Sequence, residues 1–218
     1  MWSYGLATWT IGTVAAIFFI VPPVEGLGYL ARIAFFHIPV AWVSVFAFTL
    51  SAWWAFRFLR TQDSIYDWRS ASAAALGMFF CLLATLSGAV FAKLTWGAYW
   101  NWDPRQTSIF ILLLIYGAYL ALRASIPDTE RRARTAAVYA LFSFLSVPFL
   151  VFIIPRYYFS LHPEPVVNAA GKLEMESVIL CVLGAALVVA TGIFWRLLIA
   201  SVKQKSRNAE DSKGAEVE

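Results

Sequence analysis

The sequence predicts an all-α integral membrane protein: a bundle of six transmembrane helices with one outward-facing, tryptophan-rich loop. Hydrophobic residues make up 61% of the 218 residues and charged residues only 14%, and the mean hydropathy is +0.69. A soluble domain is nearer half apolar and a quarter charged. The apolar residues form six runs, each near the ~20 residues that span a bilayer core. In each run they would lie on all faces of a helix, as in a membrane span and unlike a soluble amphipathic helix. Residues 1–200 are therefore predicted to form one membrane domain, and residues 201–218 a polar cytoplasmic tail.

The predicted spans follow from the prolines and polar connections between the apolar runs. The first run stops at a Pro-Pro pair and lacks the basic start and cleavage site of a signal peptide, so it is predicted to remain as a span. Pro39 restricts Ile38 and predicts a kink or a helix start just after His37, with Tyr29–Ile38 as an interfacial or tilted turn. The tail from Ser201 is polar and mixed in charge, and is expected to be disordered. In chain order the predicted spans are Leu6–Val21, Pro39–Leu59, Ala71–Lys93, Thr107–Arg123, Thr135–Ile154 and Glu176–Ala200.

The distribution of Lys and Arg predicts the orientation in the membrane. Twelve of the 17 lie in the second-to-third connection, the fourth-to-fifth connection and the C-terminal end, and the other five lie on the opposite side. The positive-inside rule therefore places both termini in the cytoplasm. The tryptophan-rich loop then faces outward, as do Glu25–His37 and Arg156–Glu174. Because no basic stripe occurs elsewhere, nucleic-acid binding is not indicated.

The loop between the third and fourth runs, Trp96–Ser108, is dense in aromatic residues. These are Trp96, Tyr99, Trp100 and Trp102. They predict a broad aromatic face, and Asp103 and Arg105 follow it with a carboxylate and a guanidinium. A flat, apolar ligand with an anionic edge suits such a surface, because its rings can stack while Arg105 meets the charge. Haem, a planar macrocycle with two propionates, has this shape.

A second interpretation of the same loop needs no ligand. Trp and Tyr are enriched at membrane interfaces as anchors. Asp103 is also a good helix N-cap, with Pro104 at the first helical position and Gln106 completing a capping box. Both interpretations remain open from the residues alone.

The two histidines of the chain, His37 and His162, fall on the predicted outer side. Imidazole is a common axial ligand of haem iron, so two histidines from different loops could hold one iron from opposite sides. Arg32 could join Arg105 as a partner for the propionates. The alternative is that each histidine is an amphipathic side chain at headgroup level.

The loop motif Trp-Gly-x-x-Trp-x-Trp-Asp-x-Arg-x-Thr-Ser resembles the signature of haem-handling membrane proteins in cytochrome c biogenesis. Together with six spans, the short length and an outward histidine on each side, it resembles the cytochrome c maturation protein C family. The segments Arg32–Trp42 and Leu161–Pro163 resemble those around the two essential histidines of that family. The resemblance covers the spans but not the C-terminal tail. Tyr99 stands where many members have Trp, and Gln106 where many have Leu.

The resemblance implies a haem-delivery protein of the bacterial inner membrane, with its haem site at the periplasmic face. It would hold b-type haem non-covalently and present it to a membrane-anchored periplasmic haem chaperone. The expected haem-binding residues are His37 and His162 as axial ligands, with Trp96, Tyr99, Trp100, Trp102, Asp103, Arg105 and Arg32 around them. Similar proteins act with an ATP-hydrolysing subunit, a second membrane subunit and a small one-span subunit. The sequence has no Walker motif, so ATP hydrolysis is expected from another chain.

Whether this chain is an enzyme stays open, because the reacting groups would belong to haem and the chaperone, and no catalytic residue is predicted. Two other functions are also compatible with the sequence. One is a haem permease subunit of an ABC-type transporter, although the predicted spans hold almost none of the intramembrane charges that usually mark a transport path. The other is a structural assembly subunit without haem, in which the loop is a docking surface.

Overall fold

The structure, a computed structural model, describes residues 2–162 and 175–215, with side chains from 4 to 162 and from 175 to 211. Most of the predicted outer segment Arg156–Glu174 therefore lies outside the described residues. The described residues are helical and form no β-sheet. The helices are α1 Trp2–Phe19, α2 Ala34–Thr61, α3 Ser64–Trp96, α4 Pro104–Ser125, α5 Thr129–Pro148, α6 Ile154–Tyr157 and α7 Ser177–Ala215. A 3₁₀ turn, Tyr29–Ile33, precedes α2, and a π-helical turn, Phe149–Ile153, joins α5 to α6.

Five apolar segments are long enough to cross a membrane, so this is a multi-pass membrane protein. They are Tyr29–Thr61, Ser64–Trp96, Pro104–Ser125, Thr129–Tyr157 and Ser177–Asp211. The apolar part of α1, Tyr4–Phe19, is shorter. At 1.5 Å per residue its 18-residue helix is about 27 Å long, slightly less than the ~30 Å hydrocarbon core. The helical class is confirmed, and the sixth crossing stays a prediction.

The bundle is built around α2 and α3, which pack along their length. Gly77 permits their close approach, because a Cβ atom there would lie 2.6 Å from Cε1 of Phe48. Phe48 in turn stacks on Tyr116 of α4 with ring centroids 3.6 Å apart. Helices α4 and α5 cover one side of this pair, α7 covers another, and α1 packs on α7. Large apolar side chains such as Phe142 and Leu86 are 71% and 64% exposed, as expected for surfaces that face lipid.

Two local predictions are wrong: the helix start after His37, one of the two alternatives for Pro39, and the disordered tail. Helix α2 begins at Ala34, before His37, and continues through Pro39, so Pro39 does not start the helix. Proline within the early turns removes one backbone hydrogen bond, and packing of the helix compensates for that loss. Helix α7 continues through Ser201 to Ala215, so these tail residues are helical instead of disordered. The hydrogen bond between the hydroxyl groups of Ser72 and Ser201, 2.9 Å long, attaches the start of this extension to α3.

Candidate ligand site at the loop end of the bundle

The tryptophan-rich loop, the first turns of α2 and the segment after α6 meet at one end of the bundle, which we call the loop end. The backbone N–H of Leu161 donates to Asp103 of the loop at 2.7 Å. His37 of α2 contacts Ser87 of α3 and lies beside His162. The nine predicted site residues all belong to these segments or their immediate neighbours. The structure therefore brings together segments that are more than a hundred residues apart in the chain.

The two histidine rings are neighbours, at a centroid distance that suits a shared metal ion. Their centroids are 6.1 Å apart and their planes are inclined by 41°. A metal–imidazole nitrogen bond is about 2 Å long, which places each ring centroid roughly 3.2 Å from the metal and two opposed centroids roughly 6.3 Å apart. Both side chains are half-buried. The spacing therefore fits two axial imidazoles on one haem iron.

His37 is oriented by helix α3. Its Nδ1 atom lies 3.0 Å from the backbone oxygen of Ala84 and 3.1 Å from the hydroxyl of Ser87. Because a carbonyl oxygen only accepts, Nδ1 carries the proton and donates it, which leaves the lone pair of Nε2 available to a metal. Gly88 makes room for the ring, since a Cβ atom there would lie 3.0 Å from Cε1 of His37.

Asp103 joins the tryptophan-rich loop to the segment that carries His162. It is 5% exposed, and its carboxylate accepts from the backbone N–H of Arg105 at 2.9 Å, as the predicted N-cap of α4. The same carboxylate accepts from the hydroxyl of Ser160 at 3.0 Å and from Leu161 N–H. The hydroxyl of Ser160 accepts from the backbone N–H of His162 at 3.1 Å. Asp103 thus caps α4 and also positions His162, through the hydroxyl of Ser160 and through the backbone of Leu161.

Gln106 holds the loop in shape, but not through the predicted capping box. Its side-chain oxygen accepts from the backbone N–H of Asn101 at 2.8 Å, and its Nε2 donates to the carbonyl of Tyr99 at 3.2 Å. The capping-box prediction is therefore wrong for Gln106, although the N-cap Asp103 and Pro104 at the first helical position are confirmed. Gln106 closes the loop back onto α4.

The aromatic residues do not form one flat surface. Trp100 and Trp102 are perpendicular, with centroids 5.7 Å apart and planes at 89°. Trp96 packs edge-on against Phe91 of its own helix. Trp102 is 72% exposed and has a φ of 54°, which is rare for a bulky residue and concentrates at functional sites. Trp102 and the 60% exposed Tyr99 are therefore the aromatic side chains most available to a ligand or partner.

The two predicted anion partners differ in their surroundings. The Nε atom of Arg105 is buried without a hydrogen-bond partner among the described residues, and its guanidinium lies within electrostatic range of His37 and Asp103. An unsatisfied guanidinium N–H at the site fits an anionic ligand edge such as a propionate. Arg32 has the same buried, unpaired Nε atom among the described residues, but its Nη2 donates to the carbonyl of Phe18 at the end of α1, at 2.9 Å. Its guanidinium also lies 4.2 Å from the ring centroid of Tyr29.

Sequence reasoning missed the residues that support the site. Ala84 and Gly88 carry no reactive group, so only their position beside His37 reveals them. Ser160 is only weakly indicated by its position two residues before His162, and the sequence around Gln106 indicates a capping residue but not its bonds to Asn101 and Tyr99.

Comparison with known proteins gives a consistent result. The family model described as heme exporter protein C matches residues 1–215. The heme exporter protein C of Bradyrhizobium diazoefficiens is 30% identical over 178 residues, which cover 82% of this chain and 67% of that protein. A cytochrome c biosynthesis ccmC-like mitochondrial protein of Arabidopsis thaliana is 28% identical over 215 residues, which cover 94% of this chain and 81% of that protein. The cytochrome c biogenesis protein CcsA of Panax ginseng is 38% identical over 81 residues, which cover 37% of this chain and 24% of that protein.

Proposed function

Since this chain belongs to the heme exporter protein C family, whose members handle haem for cytochrome c maturation, we propose that it binds haem at the loop end and delivers it to a membrane-anchored haem chaperone. The loop end is the periplasmic face in this proposal, because the positive-inside rule assigns the opposite end to the cytoplasm. The haem is b-type and held without a covalent bond. The chain is a delivery protein, and the groups that react belong to haem and the chaperone.

The single observation that carries the proposal is the spacing of His37 and His162. Two imidazoles at 6.1 Å between centroids suit the two axial positions of one iron. The hydrogen bond from Nδ1 of His37 to Ala84 supports it further, because it fixes the ring and increases the basicity of the nitrogen that would face the metal.

The remaining residues of the site have separate roles in this proposal. Arg105 receives a propionate, since its buried Nε has no partner among the residues described. Trp100 and Trp102 are at right angles, so one ring can lie against the macrocycle while the other borders its edge. Asp103 positions His162 and does not contact haem. Arg32 fixes the end of α1 through the carbonyl of Phe18, and its buried Nε, which has no partner among the residues described, can receive the second propionate.

The expected partners follow from the family and stay proposals. They are the haem chaperone, an ATP-hydrolysing subunit, a second membrane subunit and a small one-span subunit, in the bacterial inner membrane. The CcsA relative belongs by its name to cytochrome c biogenesis. Neither the permease nor the purely structural alternative has a specific observation that favours it over haem delivery.

A transfer experiment tests this function. The purified protein is loaded with haem and incubated with the haem-free chaperone and the other subunits, and covalent haem on the chaperone is measured by haem staining after denaturing electrophoresis. We expect transfer from the wild-type protein and little from the His37→Ala/His162→Ala double variant. Asp128→Asn, which changes an N-cap at the opposite end, is the matched control and should transfer normally. Equal transfer from the double variant and the wild type would contradict the proposal.

A further inference from the structure

A buried ion pair lies at the end of the bundle opposite the histidines, which we call the tail end. The guanidinium of Arg123 on α4 binds both carboxylate oxygens of Asp67 on α3, at 2.6 and 2.9 Å. The side chains are only 15% and 11% exposed. Bidentate pairing of this kind balances one positive with one negative charge. Asp67 therefore has little capacity left to balance another cation.

Lys205 brings a second cation to the same level. Helix α7 is attached to α3 by the hydrogen bond between Ser201 and Ser72. The two helices are antiparallel. A residue about one turn after Ser201 on α7 therefore lies beside a residue slightly more than one turn before Ser72 on α3. Lys205 is thus at the level of Asp67, and its electrostatic neighbours include Asp67 and Arg123. It is half-buried and forms no hydrogen bond or ion pair with any residue that the structure describes.

Arg132 of α5 is the third cation near this point. It is half-buried, lies within electrostatic range of Lys205, and is held by one long hydrogen bond, 3.5 Å, to the carbonyl of Ile126. Three acidic residues of the neighbouring turns have other partners: Asp128 caps α5, Glu130 pairs with Arg134 at 2.9 Å, and Glu210 accepts from the hydroxyl of Ser206. Three cations with one paired carboxylate leave an excess of two positive charges. Half-buried charges without a counter-charge are costly, so an external anion would stabilise the cluster.

The position of the cluster along the helices identifies the source of that anion. The part of α4 from Pro104 to Arg123 is about 30 Å long, which matches the ~30 Å thickness of the hydrocarbon core. Arg123 therefore lies where the apolar layer ends and the phosphates of the lipid headgroups begin. Basic pockets between transmembrane helices at this depth suit anionic headgroups. We infer that Lys205, Arg132 and Arg123 bind the phosphate group of an anionic phospholipid at the tail end.

This inference is independent of haem binding, and native mass spectrometry of the purified protein tests it. Phosphatidylglycerol and phosphatidylcholine are titrated separately, and inorganic phosphate is added as a competitor. The test variant is Lys205→Gln/Arg132→Gln, which leaves the Asp67–Arg123 pair intact. The control variant is Lys203→Gln/Arg131→Gln, which makes the same charge change at exposed positions on the same helices.

The wild type and the control variant should bind phosphatidylglycerol about tenfold or more tightly than phosphatidylcholine, since each basic group near the headgroups contributes about fivefold. The test variant should lose most of that preference. Three results would overturn the inference: an equal preference in the test variant, an equal loss in the control, or displacement of lipid by millimolar inorganic phosphate, which would make the ligand a soluble anion.

Discussion

Replacing Asp103 by Asn separates the two structural roles of this residue. The wild-type carboxylate accepts from three donors: the N–H groups of Arg105 and Leu161, and the hydroxyl of Ser160. Asn is as good an N-cap as Asp, so the start of α4 should survive. Its amide, however, has only one accepting oxygen. Whichever way the amide is turned, at least one backbone N–H loses its acceptor, and the amide nitrogen then faces that donor.

The expected magnitude follows from the bonds that are lost. A hydrogen bond to a charged group contributes about 1.5–3 kcal/mol, which corresponds to roughly 10- to 100-fold in affinity if it all acts through His162. Asp103→Asn should therefore weaken haem binding by about this factor while thermal unfolding changes little. Asp103→Leu should reduce stability as well, because it removes the cap.

Haem titration followed by absorption spectroscopy measures the affinity, and circular dichroism with heating measures the stability. Asp128→Asn is the matched control, since Asp128 caps α5 through the N–H of Arg131 and touches neither histidine segment. Ser160→Ala, which removes a single hydroxyl, should have a smaller effect than Asp103→Asn. A haem affinity of Asp103→Asn within twofold of the wild type would refute the positioning role of the carboxylate.

Three further predictions concern the loop and its orientation. Replacing Trp96, Trp100 and Trp102 together by Leu should reduce haem retention by about fivefold or more, because the ring contacts of Trp100 and Trp102 contribute about 0.5–1.5 kcal/mol each. Unchanged occupancy in a normally inserted protein would favour the interfacial-anchor interpretation. Gln106→Leu should raise proteolytic cleavage within the loop, whereas Gln106→Glu, which keeps the acceptor for Asn101, should raise it less. If the Leu variant is as resistant to proteolysis as the wild type, the hydrogen bonds of Gln106 are dispensable for the loop. Cysteine labelling should reach position 102 from the periplasm and position 128 from the cytoplasm, and the reverse pattern would contradict the proposed orientation.

Local features of this fold could be predicted because their signals lie close together in the chain. The apolar runs located the long helices, and Asp103 followed by Pro104 located the start of α4. One continuous motif and two short segments around the histidines predict the family, and this prediction is confirmed. The tail was mispredicted because a polar, charged composition does not reveal that Ser201 bonds to Ser72, 129 positions away in the chain.

The internal support of the candidate site could not be predicted, since it depends on contacts between distant segments. Asp103 and Leu161 are 58 residues apart, and His37 and Ala84 are 47 apart. The pair Asp67–Arg123 was also missed, because Asp67 fell outside the predicted third span, while α3 begins at Ser64. In each case the residue type was visible in the sequence, but its partner was determined by helix packing.

The absorption spectrum of haem bound to His37 and His162 variants tests the central claim most directly. The wild type, each single Ala variant and the double variant are compared at matched expression. If both imidazoles ligate one iron, each single variant should give a five-coordinate or weakly bound haem, and the double variant should lose stable occupancy. Added imidazole should restore the six-coordinate spectrum in a single variant by refilling the vacated position. A double variant that keeps the wild-type spectrum would show that these histidines are not the ligands.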